Sequence, residues 1–370
     1  MAEKEALARS KKSQVPVWLI EYIDENVRDV LPNGTRFLGT TPSGASYWAR
    51  AARIDATDEA EEETPFFLKV YKSENAKDMA YSEFASMKVF YDIMPEMVAE
   101  PIGWGAYKND PDAYFFVCRF EELTGDIPNS GDFPELLAEL HKRSESTATN
   151  PGEFGYPITS WGGTNPVRYP SSQSWEECFT KCMELTFAME EETHGPDDEM
   201  TRLREGLMTK VIPRLLRPLE TEGRTVKPAL CHGNLWDGNA SVDASTGTPK
   251  IFDVNPTWGH NEYDLAPWWC PRHRMTKVYI DEYFRYYQAA EPAVDFKDRG
   301  ILYSLRFDVH ASSIYPGVYR FRKIAMDNMR RLVDKYPDGY EGYAEHTVLG
   351  DQAEETEQQQ IPKTTVIEAA

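Results

Sequence analysis

The residues with the clearest chemistry lie in one run, Cys231–Asn239 (CHGNLWDGN), and in Asp253 beyond it. His232 is followed two residues later by Asn234, and Asn239 comes five residues after that. Asp253 lies fourteen residues past Asn239, directly behind the apolar segment Lys250–Phe252. Phosphoryl transfer from ATP asks a protein for a cation on the phosphates, oxygen ligands for Mg2+ and a base beside the acceptor hydroxyl. Loops of the form H-x-D-x-x-x-x-N, followed by a metal-binding aspartate at a strand end, meet that demand. Magnesium prefers oxygen ligands, which suits Asn239 and Asp253. Position 234 departs from the pattern, because an amide stands where a carboxylate is expected. His232 and Asn234 are the candidate catalytic positions. Asp237 is an acid three residues on that could substitute for the missing base.

The N-terminal half supplies the complement. Lys69 sits inside the apolar segment Phe66–Tyr71 (FFLKVY). A lysine there is costly unless paired, so a partner or a bound phosphate is expected. Glu83 follows fourteen residues later on an expected helix, the arrangement of a strand lysine held by a helix glutamate. Gly39 and Gly44 flank a small-residue turn that could cover phosphates, although no GxGxxG is present. Alone, each piece has an ordinary reading: a snorkelling edge lysine, a turn aspartate, a core histidine, turn glycines. Their order and spacing in one chain carry the chemical reading.

These residues need elements to position them. Val15–Val30 has helical spacing. Arg36–Ile54 reads as strand, tight turn and strand, and Phe66–Tyr71 as a strand. Ala76–Tyr91 reads as a helix, Pro101–Gly105 as a turn and Tyr114–Phe120 as a strand. Helices are expected over Phe133–Arg143, Ser174–Glu191, Asp197–Leu219, Ile280–Ala289 and Arg299–Tyr336. Short strands Pro228–Cys231 and Lys250–Phe252 flank the dense motif. Strands thus concentrate before about residue 120 and helices after it. This is an α+β layout with a small sheet-rich lobe and a larger helical one, hinged near Cys118–Glu121. The expected boundaries are a flexible stretch over 1–14, a nucleotide-binding lobe over 15–119, a helical catalytic and acceptor lobe over 120–349 and a disordered acidic tail over 350–370.

Composition narrows the function class. The chain has 370 residues, 41% of them hydrophobic, and a formal net charge of −21. So acidic a surface argues against binding nucleic acid or an anionic membrane. The acidic runs Asp55–Glu63 and Asp351–Glu357 read as solvated loops. No apolar run is long enough to span a bilayer. The first residues carry no secretory or transit pattern, so a cytoplasmic protein is expected. Five scattered cysteines without a CxxC pair fit reduced, buried thiols.

At His232–Asn239 and Phe252–Leu265 the chain resembles the fructosamine/ketosamine-3-kinase family, in particular its fungal-type members. That family's loop reads HGDLWxGN where this chain has HGNLWDGN, and its metal segment is similar to FDVNPTWGHNEYDLA. FLKVY with SEFASM, LAELHKRS, FGYPI, VIPRLLRPLE and RFDVHASSIYP extend the resemblance over roughly residues 35–345. Trp236 inside the loop separates this family from protein kinases. Aminoglycoside and choline kinases share the wider two-lobed, protein-kinase-like fold.

The resemblance implies a small-molecule kinase that phosphorylates the 3-hydroxyl of a ketosamine, such as a fructosamine or ribulosamine, free or on a protein lysine. It implies ATP and Mg2+ as cofactors. It carries Lys69 and Glu83 over as the phosphate-binding pair, Asn239 and Asp253 as metal ligands, and Cys118, Arg119 and Phe120 as the adenine-contacting hinge. Trp236, His260, Glu262 and Asp264 fall on the acceptor side or in the scaffold of the catalytic loop. Some relatives carry a cysteine in the turn Thr40–Ser46 and this chain does not, so redox control there is not implied. Asn234 replaces the family's aspartate, and an amide accepts a hydrogen bond but is no base at neutral pH. Three readings stay open: a working, slow ketosamine kinase; a degenerate kinase that binds nucleotide and regulates; a kinase of the same fold with another hydroxyl acceptor.

Overall fold

The computed structural model describes residues 14–343. Most of the stretch expected to be flexible at 1–14, and the acidic tail with Asp351–Glu357, lie outside them. The first helical segment is not one helix. A 3-10 turn, Val17–Ile20, is followed by a short helix α1, Glu25–Val30. The break falls at Asp24, which is extended and caps α1 by accepting the amide of Asn26 (3.0 Å). Its carboxylate also accepts the amides of Lys108 (2.7 Å) and Asn109 (3.1 Å). Capping overrides the apolar periodicity that ran through it.

Next come β1 (Arg36–Ala45), β2 (Ala49–Thr57), β3 (Phe66–Lys72), helix α2 (Ala76–Ile93), β4 (Pro101–Ala106) and β5 (Ala113–Arg119). They form an antiparallel sheet in the order β1-β2-β3-β5-β4. The small-residue segment flanked by Gly39 and Gly44 is therefore strand, and the chain reverses later, at Ser46–Trp48. Residues 101–105 are strand rather than turn. The glycine at 103 is there for close packing, since a Cβ would come within 2.8 Å of the Val30 side chain. Behind the sheet a core of Leu68, Val70, Phe115 and Val117 meets Leu19 and Val27.

After β5 the chain enters the helical lobe. It contains α3 (Asp132–Ser146), the hairpin β6 (Ser160–Gly162) and β7 (Asn165–Val167), α4 (Trp175–His194), α5 (Asp198–Gly206) and α6 (Ile212–Leu216). A π turn at Leu207–Val211 joins α5 to α6. Pro213, lacking an amide hydrogen, sits in the first turn of α6 and accounts for the interruption of the expected long helix. The region around His232–Asn239 is built on β8 (Ala229–Cys231), β9 (Ala240–Val242), β10 (Pro249–Ile251) and β11 (Thr257–Gly259). β8 pairs with β11 and β9 with β10, both antiparallel. Helices α7 (Lys277–Tyr286), α8 (Phe296–Ile314) and α9 (Arg320–Lys335) close the lobe. Pro316 and Gly317 split what reads in sequence as one helix. Among the described residues no helix is long and apolar enough to cross a membrane.

Candidate active site

The site lies in a cleft of about 1290 Å3 between the lobes, lined from both. β3 presents Lys69 to it and α2 presents Glu83. Lys69 Nζ donates to Glu83 Oε1 (2.9 Å) and to Asp253 Oδ1 (2.5 Å). One cation therefore ties the sheet lobe to the strand end beyond β10. Tyr71 also donates its hydroxyl to Glu83. Burial raises the Glu83 carboxyl to about 7, against the pull of Lys69. Burial opposes ionisation of Asp253 too, but Lys69 wins there and holds it below the usual carboxylate range. Burial works against the Lys69 charge, yet Asp253 and Glu83 together raise its pKa.

The loop after β8 folds around its own backbone. Gly233 has φ +69°, and a Cβ on it would meet the Asn255 carbonyl at 2.0 Å, so only glycine fits. His232 is fully buried. Its Nε2 donates to Phe252 O (3.0 Å) and its Nδ1 accepts the amide of Asn234 (3.2 Å). Burial lowers its pKa. With both ring nitrogens committed to backbone, His232 shapes the loop and has no free nitrogen for proton transfer.

Asn234 donates Nδ2 to the backbone carbonyl of Asp253 (3.2 Å). Asn239, buried at the start of β9, donates Nδ2 to Asn234 O (2.9 Å). No donor among the described residues reaches its Oδ1. Asp253 is in the left-handed region (φ +57°), and its side chain is 50% exposed. An uncommitted amide oxygen and an exposed carboxylate are hard oxygen donors, and they fit a Mg2+ ion. A second group of metal-type side chains, His141, Cys231 and Asp264, is buried. His141 is taken by Tyr283 (2.8 Å) and Asp264 (3.1 Å), and the Cys231 thiol by backbone carbonyls, so these residues knit the core.

Asp237 does not point at the acceptor position as a free acid. It accepts from His273 Nδ1 at 2.7 Å. Although burial opposes it, that contact and nearby amides hold its pKa below the usual range. Trp236 is 37% exposed, lines the cleft and packs on His273 with ring centroids 5.6 Å apart.

His260, Glu262 and Asp264 are buried behind the loop and do not line the cleft. Asp264 accepts the amides of His232 (2.6 Å) and Gly233 (2.7 Å). Glu262 receives a two-pronged hydrogen bond from Arg299 (2.8 and 2.9 Å). His260 meets the Tyr303 hydroxyl (2.9 Å), and burial lowers its pKa to about 4. An acceptor-side role for these three gives way to ordering of the loop, because burial removes them from any ligand.

Cys118, Arg119 and Phe120 line the cleft where the lobes join. The amides of Arg119 and Phe120 are taken by Glu100 O (2.9 Å) and Pro65 O (3.2 Å). Gly44 lines the cleft; Gly39 does not. Sequence reasoning missed Arg272, His273, Arg306, His310 and Arg320, which line the helical-lobe end. The matched segment RFDVHASSIYP held two of them. An arginine and a histidine one turn apart in an apolar stretch was the available signal.

Comparison with known proteins bears on the family and the fold. The chain is 25% identical over 271 residues to the chloroplastic protein-ribulosamine 3-kinase of Oryza sativa subsp. japonica, covering 72% of this chain and 73% of the relative. It is 36% identical over 115 residues to the ketosamine-3-kinase of Mus musculus, 31% of this chain and 34% of that one. A Thermobifida fusca protein assigned as a fructosamine-3-kinase superposes with a TM-score of 0.65 at 17% identity, over 85% of this chain and all of the other. An aminoglycoside phosphotransferase, APH(4)-Ia, crystallised with AMP-PNP and hygromycin B, superposes with a TM-score of 0.51 at 14% identity, over 81% and 94%. At those identities the superpositions speak for the two-lobed, kinase-like fold. The sequence model of fructosamine kinase matches residues 49–335, and the chain belongs to that family.

Proposed function

We propose that this protein is an ATP-dependent phosphotransferase that phosphorylates a sugar hydroxyl of a ketosamine, a fructosamine or ribulosamine adduct, free or protein-bound. The observation that carries the reading is Lys69, held between Glu83 and Asp253 at the junction of the lobes. In this reading Lys69 steadies the phosphates and Glu83 steadies Lys69. Asn239 and Asp253 hold Mg2+, which neutralises charge on the phosphates. The hinge from Cys118 to Phe120 borders the adenine, and Trp236 borders the sugar.

The acceptor hydroxyl sits against Asn234. With Nδ2 on Asp253 O, the Asn234 Oδ1 is the atom left to accept the hydroxyl hydrogen bond. The amide orients the nucleophile without taking its proton. Phosphoryl transfer rests mainly on positioning and charge stabilisation, so turnover persists at a reduced rate. The hydroxyl proton then leaves to solvent as the P–O bond forms and ADP departs.

The same hydrogen bond supports a second reading, a nucleotide-binding protein without turnover. Transfer of phosphate by the wild type and by Asn234→Asp, side by side on a panel of ketosamines, other amino sugars and polyols, separates the readings. No turnover in either form defeats the kinase reading. Thermal stabilisation by Mg-ATP without turnover then supports the second.

A further inference from the structure

The helical-lobe end of the cleft carries positive charge that the transfer chemistry does not use. We propose that it binds an anionic group on the acceptor, a carboxylate or a phosphate monoester attached to the ketosamine. This deepens the kinase reading above and rests on it.

The chain as a whole carries a charge of −21, yet Arg272, Arg306 and Arg320 line this end together. The acids there are already engaged. Asp237 is bonded to His273, and Asp308, 1% exposed, lies behind Arg272 at 2.5 Å. Arg306 is almost fully buried. It donates Nε to the Tyr263 hydroxyl (2.7 Å) and Nη2 to Gly233 O (2.5 Å), and stacks on Phe307 at 4.1 Å. It has no carboxylate partner among the described residues. Guanidinium stays protonated in proteins, so a charge without a carboxylate partner among the described residues sits behind the catalytic loop, at a cleft whose low-dielectric walls focus its field.

Arg272 and Arg320 share one aromatic ring. Their guanidinium carbons lie 5.3 and 5.0 Å from the centroid of Phe321. Two like charges are thus gathered around one ring, and an anion reaching both would offset their repulsion. Among the described residues Asp308 bonds to Arg272 through one oxygen, and its Oδ2 finds no hydrogen-bond partner. Burial also raises its pKa, which weakens it as a counter-ion. Arg320 is exposed and has no acid partner among the described residues. A planar fork at a cleft mouth, backed by an aromatic ring, matches carboxylate or phosphate geometry.

The test uses the full chain with Mg-ATP and three ketosamines of one sugar: a neutral alkylamine adduct, an α-amino-acid adduct and a phosphate-bearing adduct. An anionic adduct is expected to show kcat/KM about tenfold higher than the neutral one, the gain typical of a charge-assisted hydrogen bond. Which anionic arm gains tells carboxylate from phosphate. Arg320→Gln is expected to cut that ratio to near one. Equal kcat/KM on all three, or an unchanged ratio in Arg320→Gln, overturns the inference while leaving the kinase reading intact. If no adduct is turned over, calorimetric binding of the same three adducts with Mg-AMP-PNP decides it. Tighter binding of an anionic adduct, lost in Arg320→Gln, supports the inference, and equal or absent binding overturns it.

Discussion

Asn234 Nδ2 donates to the backbone carbonyl of Asp253 across 3.2 Å, so the residue at the base position is tied to the residue proposed to hold the metal. A carboxylate at 234 loses that bond and faces a carbonyl oxygen instead. Asn234→Asp is therefore expected to raise kcat by ~10-fold or more, toward the 10²–10⁴ range typical of general-base help. It is also expected to lower stability by about 1 kcal/mol. Steady-state kinetics and a thermal melt on the same preparation check both. A fall in kcat with unchanged stability contradicts the account of Asn234.

Lys69→Met removes the cation that bridges Glu83 and Asp253. Transfer is expected to drop at least ~10²-fold, the scale of losing a donor to a developing charge. The buried Glu83 then keeps the Tyr71 hydroxyl but loses its counter-ion, at a cost of up to about 3 kcal/mol. Adding Glu83→Gln to Lys69→Met is expected to restore most of that stability without restoring activity. A double-mutant cycle in urea separates the two effects.

Asp264→Asn replaces an acceptor of two loop amides with a group that presents a donor to one of them. About 3 kcal/mol of stability is expected to be lost, a Tm shift of roughly 4 °C. Activity falls with it because His232–Asn239 loses its anchor. A variant that melts like the wild type contradicts the role given to Asp264.

His260 predicts the acid limb of stability. Its pKa falls from 6.5 to about 4 on burial, so below pH 6.5 the unfolded chain binds a proton that the folded chain refuses. The contribution of the neutral ring is whole above pH 6.5 and is lost as pH falls toward 4, at up to ~1.4 kcal/mol per unit. His310, lowered to about 3 by burial and the Arg306 charge, acts in the same direction. Urea midpoints at pH 7.5, 6 and 5 are expected to decline in that order, less steeply in His260→Gln.

Part of this molecule is legible in its sequence because local rules happen to coincide with the site. Lys69 stands out as a charge in an apolar strand, and Glu83 lies a strand-to-helix connection away, so spacing alone brings them together. Asn239 and Asp253 flank a hairpin, and their separation is set by its length. What lies outside local rules is hidden. Nothing near Glu262 in sequence points to Arg299, thirty-seven residues on, or near Asp264 to the amides it holds. His232 reads as a candidate acid or base until both its nitrogens are seen bonded to backbone. Gly39 reads as part of a phosphate-covering turn because glycine signals a turn more often than a bulged strand. Arg272 and Arg320 sit forty-eight residues apart in sequence, and the Phe321 ring that both approach is what brings them to one place.

If Lys69 receives the phosphates as proposed, its bridge to Asp253 makes nucleotide capture an exchange rather than an addition. In the kinase reading, a phosphate oxygen arriving at Lys69 would displace the Asp253 carboxylate that already occupies it, and that carboxylate would then be free to hold Mg2+. Two ligands would thus trade places on Lys69, and the phosphate would release the partner that the metal needs. Either one alone meets a half-broken pair. The affinity for metal-free nucleotide should accordingly fall far below that for the magnesium complex.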